Sequence, residues 1–139
     1  MDSVRLKKLG KLAPEQLQEL ITLFVQADFA EDDGDLQWLQ DAVANSVAAV
    51  GALDENGSLI GFARALGDGV SDCYIQDVVV SKDHRRRGIG RKLVEFLIQE
   101  LESRNIDWIG LIATPGNEDF YRSIGFEVLA EHTPMIKRR

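Results

Sequence analysis

Val78-Val79-Val80-Ser81-Lys82-Asp83-His84-Arg85-Arg86-Arg87-Gly88-Ile89-Gly90-Arg91 is the stretch from which the rest of this chain is read. Three valines end a strand, a tight basic turn follows, and apolar residues then recur at helical spacing through Ile89, Leu93, Phe96, Leu97 and Leu101. The first N–H groups of a helix have no partners within it, and its dipole favours negative charge at that end. Gly88 and Gly90 remove side chains where an anion would meet the backbone. Arg85, Arg86, Arg87 and Arg91 gather positive charge around the same point. The physical expectation is a diphosphate site on a strand–loop–helix unit.

Competing readings of the loop fit less well. A dinucleotide fingerprint needs a third glycine three residues after Gly90, and Leu93 stands there. A nucleoside-triphosphate loop needs Gly-Lys-Ser/Thr, which is absent. An arginine run also suits nucleic acid, but this one abuts a Gly-x-Gly turn and a helix start, in a chain of net charge −7. Charge is also unevenly spread. From Leu12 to Ala63 there is no Lys or Arg among ten acids, whereas Lys82 to Lys92 holds six bases and one acid. That asymmetry suits an enzyme with one anionic and one cationic ligand, or two solvated faces.

Outward from the loop, the pattern is a single domain over residues 1–139. Val4 to Leu9 reads as a strand. A helix opens at Pro14 with Leu17, Leu20, Ile21, Phe24 and Val25 on its inner face. The acidic segment Asp28 to Asp35 is a loop before a short helix with Leu36, Leu39 and Val43 inward. Val47–Leu53 and Leu59–Leu66 form a hairpin around Asp54-Glu55-Asn56-Gly57-Ser58. Tyr74–Val80 is a strand, Gly88 to Ser103 a helix, Ile106–Ala113 a buried strand and Glu118–Ser123 a short helix. Two last strands are expected to bracket His132. The fold class is α/β (α+β), a mixed sheet covered by helices.

Arg85-x-x-Gly88-x-Gly90 resembles the acetyl-CoA signature of the GCN5-related N-acetyltransferase (GNAT) family. Phe120-Tyr121-Arg122-Ser123-Ile124-Gly125-Phe126 resembles that family's Tyr-x-x-x-Gly-Phe element, in the right order and about thirty residues later. Arg64 to Gly69 and Ile75-Gln76-Asp77-Val78 are similar to a compact branch that includes arylalkylamine acetyltransferases. The resemblance implies a mainly antiparallel sheet splayed between Tyr74–Val80 and Ile106–Ala113. It also implies acetyl-CoA as cosubstrate and direct transfer of the acetyl group to a primary amine in a ternary complex. An acyl-CoA-binding regulatory module, or a peptide amine as acceptor, is the alternative.

The resemblance also distributes roles. Loop amides from Arg86 through Gly88, Ile89 and Gly90 to Arg91 would hold the pyrophosphate, and main-chain groups at Val78, Val79 and Val80 would pair with the pantetheine arm. Tyr121 matches a tyrosine that protonates the departing thiolate; a phenol and a thiol titrate within about two units of each other, so the transfer is feasible. Asp77 interrupts an apolar strand and is expected as the base, directly or through water, or as a structural acid. Tyr74 and Asp68 are secondary candidates. Asn117 is assigned to the cosubstrate, although the commoner family pattern places an Asn further upstream, where Ala113 stands.

Cys73, the single cysteine, reads as a buried, inert thiol, and two histidines without clustered ligands imply no metal. The acceptor is expected to be a small cationic amine drawn by Glu31, Asp32, Asp33 and Asp35, with Phe29 and Trp38 against its body, or else these form a solvated loop over a core Trp. A second copy of the chain is a further expected partner; nucleic acid and membrane are not. With no signal-peptide pattern at the N-terminus, the cytoplasm is the expected compartment.

Overall fold

A chain with apolar residues alternating along three central strands has two faces to cover, and helices cover both. The computed structural model describes residues 3–139. The elements run β1 (Arg5–Lys8), α1 (Pro14–Gln26), α2 (Gln37–Ala44), β2 (Ala48–Leu53), β3 (Leu59–Gly67) and β4 (Asp72–Val80). A 3-10 turn at Lys82–His84 leads into α3 (Ile89–Ser103), followed by β5 (Trp108–Gly110) and α4 (Glu118–Arg122). The five strands form one sheet in sequence order. Its first four strands are antiparallel, and β5 joins β4 in parallel. This is the mixed, mainly antiparallel sheet that the sequence implied.

The two cores follow from strand alternation. Val50, Ala52, Ala63, Ala65 and Ile75 face α3, which buries Leu93, Val94, Leu97 and Leu101 against them. Ala49, Leu53, Leu59, Phe62 and Val79 face the other way, onto Leu20, Ile21 and Phe24 of α1 and Leu39 and Val43 of α2. Each fully buried aliphatic side chain stabilises the fold by about 1.5–3 kcal/mol. The hairpin turn is built as its sequence suggests. Asp54 Oδ1 accepts from the Asn56 and Ser58 N–H groups at 2.9 Å, and Gly57 takes φ +80°.

Two features depart from regular pairing and shape the functional side. Phe62 pairs with Val79 but Arg64 with Gln76, so β4 carries one extra residue opposite Ala63. Asp77 sits in this bulge with φ +58°, a left-handed conformation rare outside glycine. Secondly, β5 is shorter than the expected Ile106–Ala113 strand. It pairs with β4 only from Asp72↔Trp108 to Tyr74↔Gly110, after which the two strands part.

The two last strands expected around His132 do not form: residues 127–139 contain no strand. Val128 and Leu129 are each 57% exposed, and Met135 and Ile136 are 90% and 76% exposed. The apolar residues come as adjacent pairs, so a strand would turn one of each pair to solvent, and Pro134 removes a ladder donor.

Candidate active site

Where β4 and β5 part they open a cleft of about 1060 Å³. Residues 75–80 of β4 form its floor, and beyond Tyr74 no strand among the described residues lies beside this edge. Backbone groups on such an edge need partners, which an extended ligand can supply. His84 to Gly90 and Arg91 make one wall, except for Arg87, which is exposed and not part of the lining. Leu111, Ile112, Thr114, Asn117, Phe120 and Tyr121 make the other, and the end of α1 at Gln26 to Phe29 closes the rim.

The loop is held open by its own hydrogen bonds. Ser81 N–H donates to the Ile60 carbonyl at 2.8 Å, Lys82 N–H to Gln26 Oε1 at 3.1 Å, and Arg85 Nε to the Val80 carbonyl at 3.0 Å. Gly88 is the N-cap of α3 at φ +80°, and no side chain caps the helix's first turn. Those N–H groups therefore point toward the cleft with the positive end of the dipole and with Arg85 and Arg86 beside them. A Cβ on Gly90 would lie 3.5 Å from Phe120 Cζ and 3.7 Å from Val80 Cγ2, so the missing side chain leaves room between the two walls. A buried polar atom without a partner, His84 Nδ1, belongs to the same wall. These features fit a diphosphate carried on an extended arm along β4. Arg91 is partly engaged elsewhere: its guanidinium donates to Ser123 Oγ at 3.1 Å and to the Ser123 carbonyl at 3.2 Å, tying α3 to α4.

Tyr121 stands across the cleft, wedged edge-on against Phe120 and Phe126 with ring centroids 4.9 and 5.8 Å away. Burial among these rings pushes its phenol pKa above the usual value of 10.0. The hydroxyl is therefore protonated at neutral pH, as a proton donor must be. Asn117 occupies the N-cap position of the same helix, but its side chain turns away from the helix, with Nδ2 donating to Thr114 Oγ1 at 2.7 Å.

Asp77 lines the cleft from the bulge, and Arg64 Nε donates to its Oδ2 at 2.7 Å. Its Oδ1 accepts no hydrogen bond among the described residues. Tyr74 lines the cleft beside the rim and packs edge-on against Trp108 at 5.1 Å. Asp68 is not in the lining. Its carboxylate accepts from Ser71 Oγ at 2.6 Å and from the Ser71 and Val70 N–H groups, which hold its pKa far below the carboxylate range and spend it on its own turn. Cys73 is fully buried, and burial pushes its thiol pKa up.

The acidic loop serves itself more than the cleft. Asp32 Oδ1 accepts from Gly34 N–H, Asp33 Oδ1 from Asp35 N–H, and Asp35 Oδ1 from Gln37 N–H, at 3.0–3.1 Å. None of these acids, nor Glu31 or Trp38, lines the cleft, whereas Phe29 does. Asp28 and Gln76 also line it, and the sequence reading assigned neither a role. Asp28 follows α1 at φ +59°, exposed at the rim, and nothing in its local sequence marks it as part of the lining. Among the described residues no three His, Cys, Asp or Glu side chains gather as metal ligands.

Comparison with known proteins meets this geometry. A family model described as "Acetyltransferase (GNAT) family" matches residues 14–126. The chain is 34% identical over 97 residues to Serotonin N-acetyltransferase 2, chloroplastic, of Oryza sativa subsp. japonica, covering 70% of this chain and 44% of that protein. It is 39% identical over 77 residues to GCN5-related N-acetyltransferase 2, chloroplastic, of Arabidopsis thaliana, covering 55% of this chain and 30% of that one. It thus spans less than half the length of either relative. A GNAT family acetyltransferase from Streptococcus pneumoniae TIGR4 has the same fold, with a TM-score of 0.79 and 28% identity over 99% of this chain and 98% of the other. With the family model spanning most of its length and the same splayed sheet and strand–loop–helix unit in place, the chain belongs to the GNAT acetyltransferase family.

Proposed function

We propose that this chain is an acetyl-CoA-dependent N-acetyltransferase acting on the primary amine of a small cationic molecule by direct attack in a ternary complex. The observation that carries the reading is the meeting, in one cleft, of an unpaired strand edge, an uncapped helix N-terminus with two arginines, and a half-buried tyrosine on the opposite wall.

In this reading the α3 amides and Arg85 and Arg86 hold the pyrophosphate, and the edge of β4 at 78–80 hydrogen-bonds the pantetheine arm. The thioester then lies near the bulge, where β4 backbone is free to polarise its carbonyl. Asp77 Oδ1 takes the proton from the ammonium, directly or through water, so that the neutral amine attacks the carbonyl carbon. As the carbon–sulfur bond breaks, Tyr121 gives its proton to the departing thiolate. Asp28, Phe29 and Tyr74 at the rim supply negative charge and aromatic faces for the body of a cationic amine. The name of the rice relative, a serotonin N-acetyltransferase, agrees with a small amine acceptor.

The test pairs calorimetric titration of acetyl-CoA with a panel of amines assayed by release of the CoA thiol. Saturable binding with thiol release dependent on a small amine is the expected result. Binding without release from any amine would favour an acyl-CoA-binding module, and release only with peptides would move the acceptor to that class.

A further inference from the structure

Arg64 stands on β3 beside the bulge and uses its guanidinium in two directions. Nε donates to Asp77 Oδ2 at 2.7 Å, while Nη1 donates to the Ala42 carbonyl at 3.3 Å and lies 3.5 Å from Ser46 Oγ. The Arg64 and Asp77 side chains are only 16% and 21% exposed. Ala42 belongs to the last turn of α2, where the dipole favours a cation, and its carbonyl also accepts from Ser46 Oγ at 2.8 Å. That turn has no basic residue of its own, so Arg64 supplies the charge from the sheet.

The helix it holds needs such a tether. α2 has eight residues and no side-chain N-cap, too short to persist without tertiary contacts. Leu39 and Val43 bury its inner face by non-directional apolar contacts, and Gln40 pairs with the Leu12 backbone at 2.9 and 2.8 Å, which leaves the rotation and axial shift of the C-terminal turn to a second directional contact. A planar guanidinium with donors at fixed angles defines both. At its other end the same group holds a carboxylate on a residue in left-handed backbone, the kind of conformation that lasts only where its surroundings over-determine it.

We propose that Arg64 is a positioning residue that registers the C-terminal turn of α2 against the bulge of β4, on the floor of the cleft where the acetyl group is polarised. The inference rests on the reading of the cleft as an N-acetyltransferase site. Its physical content is coupling: α2 and the bulge are ordered together through one side chain, while the diphosphate loop is ordered separately by Ile60, Gln26 and Val80.

Two variants test it, Arg64→Met, which keeps the aliphatic stem, and Arg64→Lys, which keeps the charge but not the fork. Hydrogen exchange, acetyl-CoA affinity and amine kinetics are measured on each. In Arg64→Met, exchange should rise together at the end of α2 and at residues 76–79 by at least about tenfold, the scale of one lost charge-assisted hydrogen bond, with α3 unchanged. Acetyl-CoA affinity should stay within about threefold, while kcat/KM for the amine falls by about 10–100-fold. In Arg64→Lys the bulge should recover and α2 should not. Exchange that rises at 76–79 but not in α2 would overturn the proposal, since Arg64 would then serve Asp77 alone. A uniform rise in every element, or an equal loss of acetyl-CoA affinity, would overturn it too, as a general loss of stability. Should the charge stranded on Asp77 unfold Arg64→Met, the double variant Arg64→Met/Asp77→Asn removes it and is judged on α2 exchange by the same criterion. A parent chain that acetylates no amine would sink the enzymatic reading while the exchange measurements still decided the coupling.

Discussion

Replacing each of the two loop glycines with alanine separates backbone strain from ligand approach. At Gly88 the added methyl meets nothing within 4 Å, so its cost is that of holding an L-residue at φ +80°, roughly 1–2 kcal/mol. For a domain of this size that is a fall in Tm of about 3–10 °C. At Gly90 the backbone is helical, and the methyl rests in ordinary contact 3.5 Å from Phe120 and 3.7 Å from Val80. Alanine there should raise stability by up to about 1 kcal/mol, because glycine is the poorer helix former. The stability effects thus have opposite signs, but the same methyl at position 90 fills space between the two walls of the cleft. If the phosphates approach the α3 amides there, losing one charged hydrogen bond of about 1.5–3 kcal/mol weakens acetyl-CoA binding about 10–150-fold. Thermal scans without ligand and calorimetric titration with acetyl-CoA read both quantities. A Gly90→Ala protein that is more stable yet binds acetyl-CoA within twofold of the parent would refute the placement of the diphosphate.

Tyr121→Phe should lower kcat by about 10²–10⁴-fold and leave acetyl-CoA affinity within twofold, since only the departing thiolate needs the proton; a loss confined to affinity would make Tyr121 a binding residue. Because burial raises the Tyr121 pKa, the donor is intact through neutral pH and the stability of its neutral form is fully present below about pH 10. Both are lost as pH rises through the raised value, so the alkaline fall in kcat should vanish in the Phe variant. Asp28→Asn should raise KM for cationic amines several-fold, more so at low salt, while Asp33→Asn leaves it within twofold; equal effects would return the acceptor entrance to the acidic loop. Glu100 accepts from Lys8 Nζ and Arg104 Nη2, both at 3.1 Å, and these contacts lower its pKa. Glu100→Gln should therefore destabilise by less than about 1 kcal/mol at neutral pH. That difference should close as pH falls through the lowered carboxyl pKa in parallel urea melts, and a constant gap at every pH would exclude the ion pair as its source.

The sequence disclosed what is written locally. The β4–loop–α3 unit, the hairpin at Asp54 to Ser58 and the Tyr121 helix each depend on neighbours a few residues apart, and each stands where its pattern put it. The bulge at Asp77 was not legible, because an extra residue in β4 shows only against the β3 residues it pairs with, from Phe62 to Arg64. For the same reason Asp77 read as a lone acid in an apolar strand rather than half of an ion pair. Asp32, Asp33 and Asp35 looked like a field for cations, yet short side chains beside free N–H groups close turns first. The C-terminal residues carry enough apolar side chains to suggest strands, but whether a strand forms depends on an edge and a covered face, neither of which sequence composition supplies.

The unpaired edge of β4 is made of main-chain atoms, and nineteen of the twenty amino acids bring the same N–H to it. A grip of that kind is almost blind to residue identity, so the side chains beneath it are left to answer to packing alone. At positions 78 and 80 a saturation library should accept Ile, Leu and Thr freely, and at 79, buried in the core, only shapes close to valine. Proline would stand apart, the substitution that keeps apolar bulk and erases the donor. Heredity could then rewrite the side chains of this strand many times over without removing the main-chain donors and acceptors along its edge.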